Sequence, residues 1–156
     1  MEIVELRDRN DLFEKAIQVF WREWGNEKNY KFYEDAMIHS CTTSSDIPRF
    51  YVAIEKGHII GTYALLRNDL NSRQDLCPWL ACLYVDEEHR GRKIGSKLLQ
   101  HGLKEAIKKG YEKLYLSTDL EHYYEKYGWR NSGIVYGVSG EHIKLYEKDT
   151  DLKTIK

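Results

Sequence analysis

The 156-residue sequence has little cysteine, almost no net charge and no long apolar run. Its three cysteines form no Cys-x-x-Cys pair, which disfavours both a disulfide framework and a zinc site. With 24 Lys and Arg against 25 Asp and Glu, the chain has no overall field that would attract nucleic acid or an anionic membrane. No apolar run approaches the ~20 residues that span a bilayer, and the first residues lack a signal-peptide pattern. We therefore expect a reduced, soluble, cytoplasmic protein without a metal site.

The hydrophobic periodicity predicts a mixed α/β chain in the order β-α-α-β-β-β-α-β-α-β-β. The predicted strands are 2–7, 50–55, 58–66, 79–85, 113–117, 129–138 and 142–147, and the predicted helices are 12–24, 30–40, 92–109 and 121–127. Asp11 is the expected N-cap of the first helix. The third helix connects two strands by a crossover, which makes those strands parallel neighbours in an otherwise largely antiparallel sheet. We expect one domain over residues 1–148 and a polar tail over 149–156.

The clearest functional signal is a basic, glycine-containing segment at the start of the third helix. Residues 89–99 follow the apolar strand 79–85 and read His-Arg-Gly-Arg-Lys-Ile-Gly-Ser-Lys-Leu-Leu. Unpaired N–H groups at a helix start, together with the positive end of the helix dipole, favour a bound anion. Glycines let a phosphate approach the main chain, and the lysines and arginines add positive charge. The segment therefore predicts a phosphate-binding loop.

Two motifs make the chain resemble the GCN5-related N-acetyltransferases. The family's main signature, Arg/Gln-x-x-Gly-x-Gly/Ala after an apolar-x-Val strand end, is matched by Arg90-Gly91-Arg92-Lys93-Ile94-Gly95 after Leu83-Tyr84-Val85. Its second signature, Tyr-x-Lys-x-Gly-aromatic, is matched by Tyr124-Glu125-Lys126-Tyr127-Gly128-Trp129. Lys93 departs from the pattern because the family usually has its middle glycine there. A lysine with helical φ and an outward side chain would still serve.

The resemblance implies a single-domain fold with a mixed, mostly antiparallel sheet. A central parallel strand pair would splay to admit coenzyme A, and helices would cover both faces. It also implies acetyl-CoA as the donor and a primary amine as the acceptor. The pyrophosphate of the cofactor would lie on residues 90–96, with Ser96 as an additional donor, and its pantetheine arm would pair with the main chain near Leu83 and Val85.

The same resemblance makes Tyr124 the candidate general acid for the departing thiolate, with Tyr123 and Tyr127 as competitors. Proton transfer from a phenol with an ordinary pKa of about 10 to the thiolate of a thiol with a pKa of about 8.5 costs roughly 2 kcal/mol. A hydrogen bond from the phenol could therefore matter more than full proton transfer. The alternative is that Tyr124 is simply a core aromatic residue.

The incoming amine also needs help, because an ordinary lysine-like amine is only ~0.04% neutral at pH 7. Asp119 is the best candidate for a catalytic base, and its alternative role is to cap the helix that follows it. Asp75 is the best candidate for a substrate contact, and its alternative is a solvated loop charge. A water chain is the alternative to a protein base. Trp24 and Tyr33, on the first two helices, are the best candidates for walls of the acceptor pocket.

We expect an N-acetyltransferase acting on a small-molecule amine, with direct attack in a ternary complex. The alternatives are a non-catalytic acyl-CoA-binding sensor and a nucleic-acid-binding module. Glu87 and Glu88 beside the basic loop argue against nucleic acid as a partner. The last hairpin could pair with its copy in a second subunit, so a homodimer is an open alternative. The sequence does not identify the acceptor amine.

Overall fold

The structure is a computed structural model, and it describes residues 1–151. The strands are β1 (Glu2–Glu5), β2 (Arg49–Glu55), β3 (His58–Leu66), β4 (Trp79–Val85), β5 (Lys113–Thr118), β6 (Arg130–Tyr136) and β7 (His142–Asp149). The α-helices are α1 (Phe13–Trp24), α2 (Tyr30–Thr42) and α3 (Ile94–Lys108). Short 3₁₀ turns lie at Leu6–Asp8, Asn10–Leu12, Glu87–His89 and Tyr124–Tyr127.

The seven strands form one sheet in the order β1-β2-β3-β4-β5-β7-β6. Strands β4 and β5 form a parallel pair, in which Trp79 lies opposite Tyr115. The β5–β7 and β6–β7 ladders are antiparallel, as is the β1–β2 pair. The predicted fold class, an α/β chain with a mostly antiparallel sheet and a central parallel pair, is therefore confirmed.

The chain forms two compact units. The first unit contains residues 1–64 and 82–99, and it includes α1, α2, β1 and β2. The core of this unit includes the buried face of α1, formed by Ala16, Ile17 and Phe20. The rings of Tyr51 and Tyr63 stack in the same unit with centroids 4.5 Å apart.

Within the first unit, Arg7 closes the end of α2. Its guanidinium donates hydrogen bonds to the carbonyl oxygens of Ser40 (3.1 Å) and Thr43 (2.6 Å). Carbonyl groups at a helix C-terminus lack partners inside the helix and carry its negative dipole end, so a cation there stabilises the helix.

The second unit contains residues 65–81 and those from Gln100 onward, with β5, β6 and β7. Trp79, Val135 and Leu145 are its buried apolar cluster. Trp79 also donates its indole N–H to the carbonyl oxygen of Leu76 at 2.7 Å, so the ring is buried without an unsatisfied donor.

Several predicted boundaries are wrong, each for a local reason. The first strand ends at Glu5, because Leu6–Asp8 turn into a 3₁₀ helix. Asp11 does not cap α1, since its carboxylate accepts two hydrogen bonds from Arg9, both at 2.9 Å. The fourth predicted helix is reduced to the 3₁₀ turn Tyr124–Tyr127, which ends at Gly128 with φ +85°.

The predicted tail begins too early. Strand β7 continues to Asp149. Thr150 is buried and bonded through its N–H to the Glu112 carbonyl oxygen (3.0 Å) and through its hydroxyl to that of Tyr111 (2.7 Å). Residues 152–156 of the predicted tail lie outside the described residues.

Candidate active site

Strand β4 has an unusual backbone conformation where the cofactor's pantetheine arm was predicted to pair. Cys82 has φ +56°, which is rare for a non-glycine residue inside a strand. The buried Thr62 donates its hydroxyl to the Cys82 carbonyl oxygen at 2.8 Å. Leu83 and Val85, the predicted pantetheine contacts, follow Cys82 and are partly buried.

The start of α3 presents free main-chain N–H groups next to positive charge. The helix begins at Ile94, and its first main-chain hydrogen bond runs from the Lys97 N–H to the Lys93 carbonyl oxygen at 3.1 Å. The amides of Ile94, Gly95 and Ser96 therefore have no partner inside the helix. The side chains of Arg90, Arg92, Lys93 and Lys97 around them are exposed.

Lys93 does not have the helical φ that we expected. Its φ is +61°, in the left-handed region that glycine adopts without strain. The structure therefore places a lysine in a backbone conformation that glycine adopts more easily. Gly91, two residues earlier, has φ +84°.

The arginines of this loop already have partners. Arg92 makes a two-pronged ion pair with Glu55, at 2.9 Å and 2.6 Å, and this pairing lowers the pKa of Glu55 to about 2. Arg90 donates its Nε–H to the Val85 carbonyl oxygen at 3.0 Å. His89 lies 2.8 Å from Asp86 and 3.7 Å from Glu55. Sequence reasoning missed Glu55, which ends β2 and carries no motif.

The two predicted pocket walls, Trp24 and Tyr33, have different surroundings. Trp24, which is 39% exposed, packs edge-on against Tyr84 of β4 with ring centroids 6.4 Å apart. Tyr33 packs edge-on against Phe32, which is itself exposed. The Trp24 contact thus connects the end of α1 with β4, and it adds Tyr84 to the aromatic residues of this region.

In the second unit, Tyr124 is buried within an aromatic cluster. Its ring lies 5.7 Å from that of Tyr146 and 6.3 Å from that of Trp129. Burial raises the pKa of Tyr124 to about 12, and a hydrogen bond with Thr118 partly opposes this shift. Tyr123 hydrogen-bonds with Tyr127 instead, so these two competitors pair with each other.

Thr118 connects the residues after β5 with Tyr124. Its hydroxyl oxygen accepts the N–H of Leu120 at 3.0 Å. The same hydroxyl hydrogen-bonds with the phenol of Tyr124, and this bond favours the ionised phenol and so lowers its pKa.

The two predicted carboxylates lie at exposed positions of this unit. Asp75 accepts two hydrogen bonds from Arg73, at 2.9 Å and 2.8 Å, which lowers its pKa and makes it a weaker proton acceptor. Asp119 borders a cavity of about 370 Å³, and its carbonyl oxygen accepts a hydrogen bond from Lys144. That cavity is also lined by Asn131, Gly133, Ile134, His142 and Ile143.

Sequence reasoning missed Asp69, in the loop after β3. Its carboxyl is partly buried, and burial raises its pKa to about 6, against the effect of a hydrogen bond from Ser117. Nothing in the residues around Asp69 in the sequence indicates this environment, because Ser117 belongs to β5.

Comparison with known proteins decides the family. The model of the acetyltransferase (GNAT) family matches residues 13–129, which is most of the chain and includes both motifs. The chain belongs to the GNAT acetyltransferase family. As a GNAT protein it has the acyltransferase fold that the sequence predicted.

Solved structures show the same fold at low identity. An aminoglycoside 6'-N-acetyltransferase complexed with coenzyme A is 18% identical, with a TM-score of 0.72 over 96% of this chain and 97% of that one. The aminoglycoside 6'-N-acetyltransferase from Enterococcus faecium gives the same values. An N-acetyltransferase from Staphylococcus aureus Mu50 is 19% identical, with a TM-score of 0.69 over 97% of this chain and 100% of that one. No curated protein sequence matches the chain.

Among residues 1–151 of this GNAT protein, no helix is long and apolar enough to cross a membrane. Within the same residues, no three His, Cys, Asp or Glu side chains are grouped closely enough to hold a metal ion.

Proposed function

We propose that this GNAT protein transfers the acetyl group of acetyl-CoA to a primary amine of a small molecule, by direct attack in a ternary complex. The observation that supports this most is the α3 start, with its three amides free of helical partners beside exposed basic side chains. In this proposal those amides and the loop 90–96 bind the cofactor's pyrophosphate. The solved relative bound to coenzyme A agrees with this cofactor.

The main chain of β4 would serve the acyl end of the cofactor. Backbone groups near Leu83 and Val85, after Cys82 with its positive φ, would pair with the pantetheine arm. A main-chain N–H next to the thioester carbonyl would stabilise the oxyanion that forms during attack.

Tyr124 would stabilise the departing thiolate. With its pKa raised to about 12, complete proton transfer to a thiolate of pKa about 8.5 is uphill by ~5 kcal/mol. A hydrogen bond from the phenol, strengthened as negative charge develops on sulfur, is therefore the larger part of its role.

The acceptor is proposed only as a class. Two of the solved relatives are aminoglycoside acetyltransferases, so an aminoglycoside belongs among the amines tested. Trp24, with Tyr33 as a second candidate, would form apolar walls beside which such a molecule binds. Asp119 and Asp75 would contribute negative charge for a cationic amine.

The test combines binding with turnover. Acetyl-CoA should raise the melting temperature of the purified protein, and free CoA thiol should appear when kanamycin, spermidine or lysine is added. Failure of acetyl-CoA to bind at millimolar concentration would contradict the proposal. Binding without thiol release from any amine would favour the acyl-CoA sensor, and a steep salt dependence of DNA or RNA binding would favour the nucleic-acid module.

A further inference from the structure

We propose that the acceptor amine also carries a carboxylate, and that Lys144 and His142 bind this carboxylate in the cavity beside the β6–β7 hairpin. This inference rests on the acetyl transfer proposed above. It deepens that proposal by naming the substrate class as an amino acid, in place of a polyamine or an aminoglycoside. The cavity has a volume of about 370 Å³, and all of its lining residues belong to the second unit.

The size of the cavity fits a small ligand. Sites for small molecules range from ~300 to ~1,000 Å³, so a volume of about 370 Å³ is near the lower end of that range. Such a volume holds one amino acid more readily than a three-ring aminoglycoside such as kanamycin. Ile134 and Ile143 supply apolar contacts beside the polar residues of the lining.

An irregularity in β6 leaves the main chain open at this cavity. The β6–β7 register shifts between Asn131, which lies opposite Tyr146, and Gly133, which lies opposite Leu145, so β6 accommodates one extra residue there. Asn131 Oδ1 fixes the irregularity by accepting the Gly133 N–H at 3.0 Å. Gly133 has φ +128°, and a Cβ at this position would have no atom within 4 Å. Bulges and strand glycines of this kind are common where a ligand approaches the main chain.

The cavity lies on the same face of the sheet as Tyr124. Lys144 lies opposite Thr118 in the β5–β7 ladder and opposite Ile134 in the β6–β7 ladder. Residues directly opposite each other in antiparallel strands point to the same face, with Cβ atoms about 5 Å apart. Thr118 hydrogen-bonds with Tyr124. Lys144 is therefore the cross-strand neighbour of the residue that contacts the phenol.

Asn131 forms a second connection between the cavity and Tyr124. Asn131 hydrogen-bonds with the hydroxyl of Tyr146, which donates to Glu125 Oε2 at 2.8 Å. The Tyr146 ring lies 5.7 Å from the Tyr124 ring. A ligand in the cavity thus lies next to the aromatic cluster that contains the phenol assigned above to the departing thiolate.

The basic groups of the cavity favour a carboxylate. Lys144 donates to the main-chain carbonyl oxygen of Asp119 at 3.2 Å, and this neutral partner leaves the ammonium charge uncompensated. The exposed carboxylate of Glu121 is 3.8 Å from the ammonium group, and such a surface pair contributes little. An ammonium group has three N–H donors, so Lys144 can bind a ligand carboxylate as well. His142, two residues earlier on the same face of β7, adds a further donor.

The same lining disfavours a polycation. Among the described residues that line the cavity, Asp119 alone carries a carboxylate. One carboxylate suits one ammonium group, whereas kanamycin and spermidine each carry several. An amino acid has one ammonium and one carboxylate group, which match Asp119 and Lys144 in the sign of their charges.

Matched acids and amides test the carboxylate without changing the protein. L-phenylalanine and L-lysine are each compared with their primary amides, and with kanamycin and spermidine, at saturating acetyl-CoA. By thiol release, kcat/KM should be at least tenfold higher for each acid than for its amide, because the amide loses a hydrogen bond between charged groups. The polycations should be slower than both acids. Loss of the carboxylate also makes the α-amine less basic, which acts in the opposite direction, so a slower amide reports recognition.

Variants at position 144 assign the effect to one side chain. Lys144→Met removes the charge and keeps the length, whereas Lys144→Arg keeps the charge. The matched control is Lys113→Met, at the other end of the β5–β7 ladder, where Lys113 pairs with Glu147 at 2.8 Å. Lys144→Met should lower kcat/KM about tenfold more for the acids than for the amides, mainly through KM. Lys144→Arg should retain most of the acid preference, and the control should match the wild type. The melting shift with acetyl-CoA checks that each variant is folded.

Binding measured apart from turnover distinguishes this inference from the transferase. In calorimetric titration of the CoA-bound wild type, L-phenylalanine should bind at least tenfold more tightly than its amide, and Lys144→Met should abolish that difference. Equal or absent binding of the acid, or faster acetylation of a polycation, would overturn the carboxylate site while leaving the transferase in place. If the acid binds preferentially but no amine releases thiol, the transferase fails and the carboxylate site stands as a binding site.

Discussion

The loop 90–96 of the first unit, for which phosphate binding is proposed, and the end of β5 in the second unit differ in how their charged groups are exposed to water. In the loop, the charged side chains are exposed to solvent and form surface ion pairs, such as that between Arg92 and Glu55. At the β5 end, Tyr124 and Asp69 are withdrawn from water, and their pKa values move to about 12 and about 6. The loop is built from backbone and surface charge, which suits binding. The β5 end is built from desolvated titratable groups, which is typical of proton transfer.

The largest effect should come from the β5 end. Tyr124→Phe removes the phenol but retains the ring packing against Tyr146 and Trp129, so folding should survive. We expect turnover to fall about a hundredfold or more with nearly unchanged acetyl-CoA affinity. Steady-state kinetics and calorimetric titration measure the two quantities, and Tyr127→Phe is the matched control. If Tyr124→Phe turned over as fast as the wild type, the β5 end would have no role in proton transfer and would not differ from the loop in function.

The second prediction concerns stability and Asp69. Because its folded pKa lies above the ordinary 3.8, the folded state binds this proton more tightly than the unfolded state. The free energy of unfolding therefore decreases as pH rises from about 4 to about 6. The shift in pKa corresponds to at most ~3 kcal/mol, and partial exposure of the carboxyl to solvent reduces this to about 2 kcal/mol.

Asp69→Asn should consequently be more stable than the wild type at pH 7.5 by about 2 kcal/mol, and equal to it near pH 4. Urea unfolding at the two pH values measures this. A destabilised Asn variant at pH 7.5 would show that the carboxylate is well solvated, and the electrostatic contrast with the loop would then disappear.

The third prediction tests the backbone of the loop. Lys93→Gly should stabilise the protein by about 1 kcal/mol, because glycine adopts the φ of +61° without the steric cost that lysine incurs. Lys97→Gly, inside α3, should destabilise by about the same amount. Thermal unfolding gives both signs. A destabilised Lys93→Gly would mean that the lysine side chain stabilises the loop by more than its strain.

The smallest effect should come from the surface ion pair. Glu55→Gln leaves Arg92 without its carboxylate partner and adds positive potential to the loop. We expect acetyl-CoA to bind a few-fold more tightly at low salt, with the gain lost at high salt. Titration at two ionic strengths measures it. Weaker binding would instead show that Glu55 orients Arg92 for the ligand.

The sequence predicts the regular elements well where a local pattern defines them. Strands β3 and β4 have the predicted bounds, since each is an apolar run between turn residues. The end of the 3₁₀ turn at Gly128 was also predicted. The start of α3 was misplaced by two residues, because nothing in the sequence indicates that Lys93 adopts a left-handed backbone.

The candidate site could be proposed from the sequence only where it is local in sequence. The basic, glycine-containing loop before α3 is such a part, because its residues are consecutive. Glu55 and Asp69 could not be found in that way, because their partners, Arg92 and Ser117, lie on other elements and meet them only in the folded chain. The shifted pKa of Asp69 is a property of its surroundings, and a single sequence does not encode it in any short motif.

The Thr118 hydroxyl has a consequence for how this protein can vary. Its oxygen accepts the Leu120 N–H, and it also hydrogen-bonds with the phenol of Tyr124. Serine offers the same hydroxyl at that distance from the backbone, whereas the isosteric Val offers none. In a library of all substitutions at position 118, selection for activity should therefore favour Thr and Ser over Val.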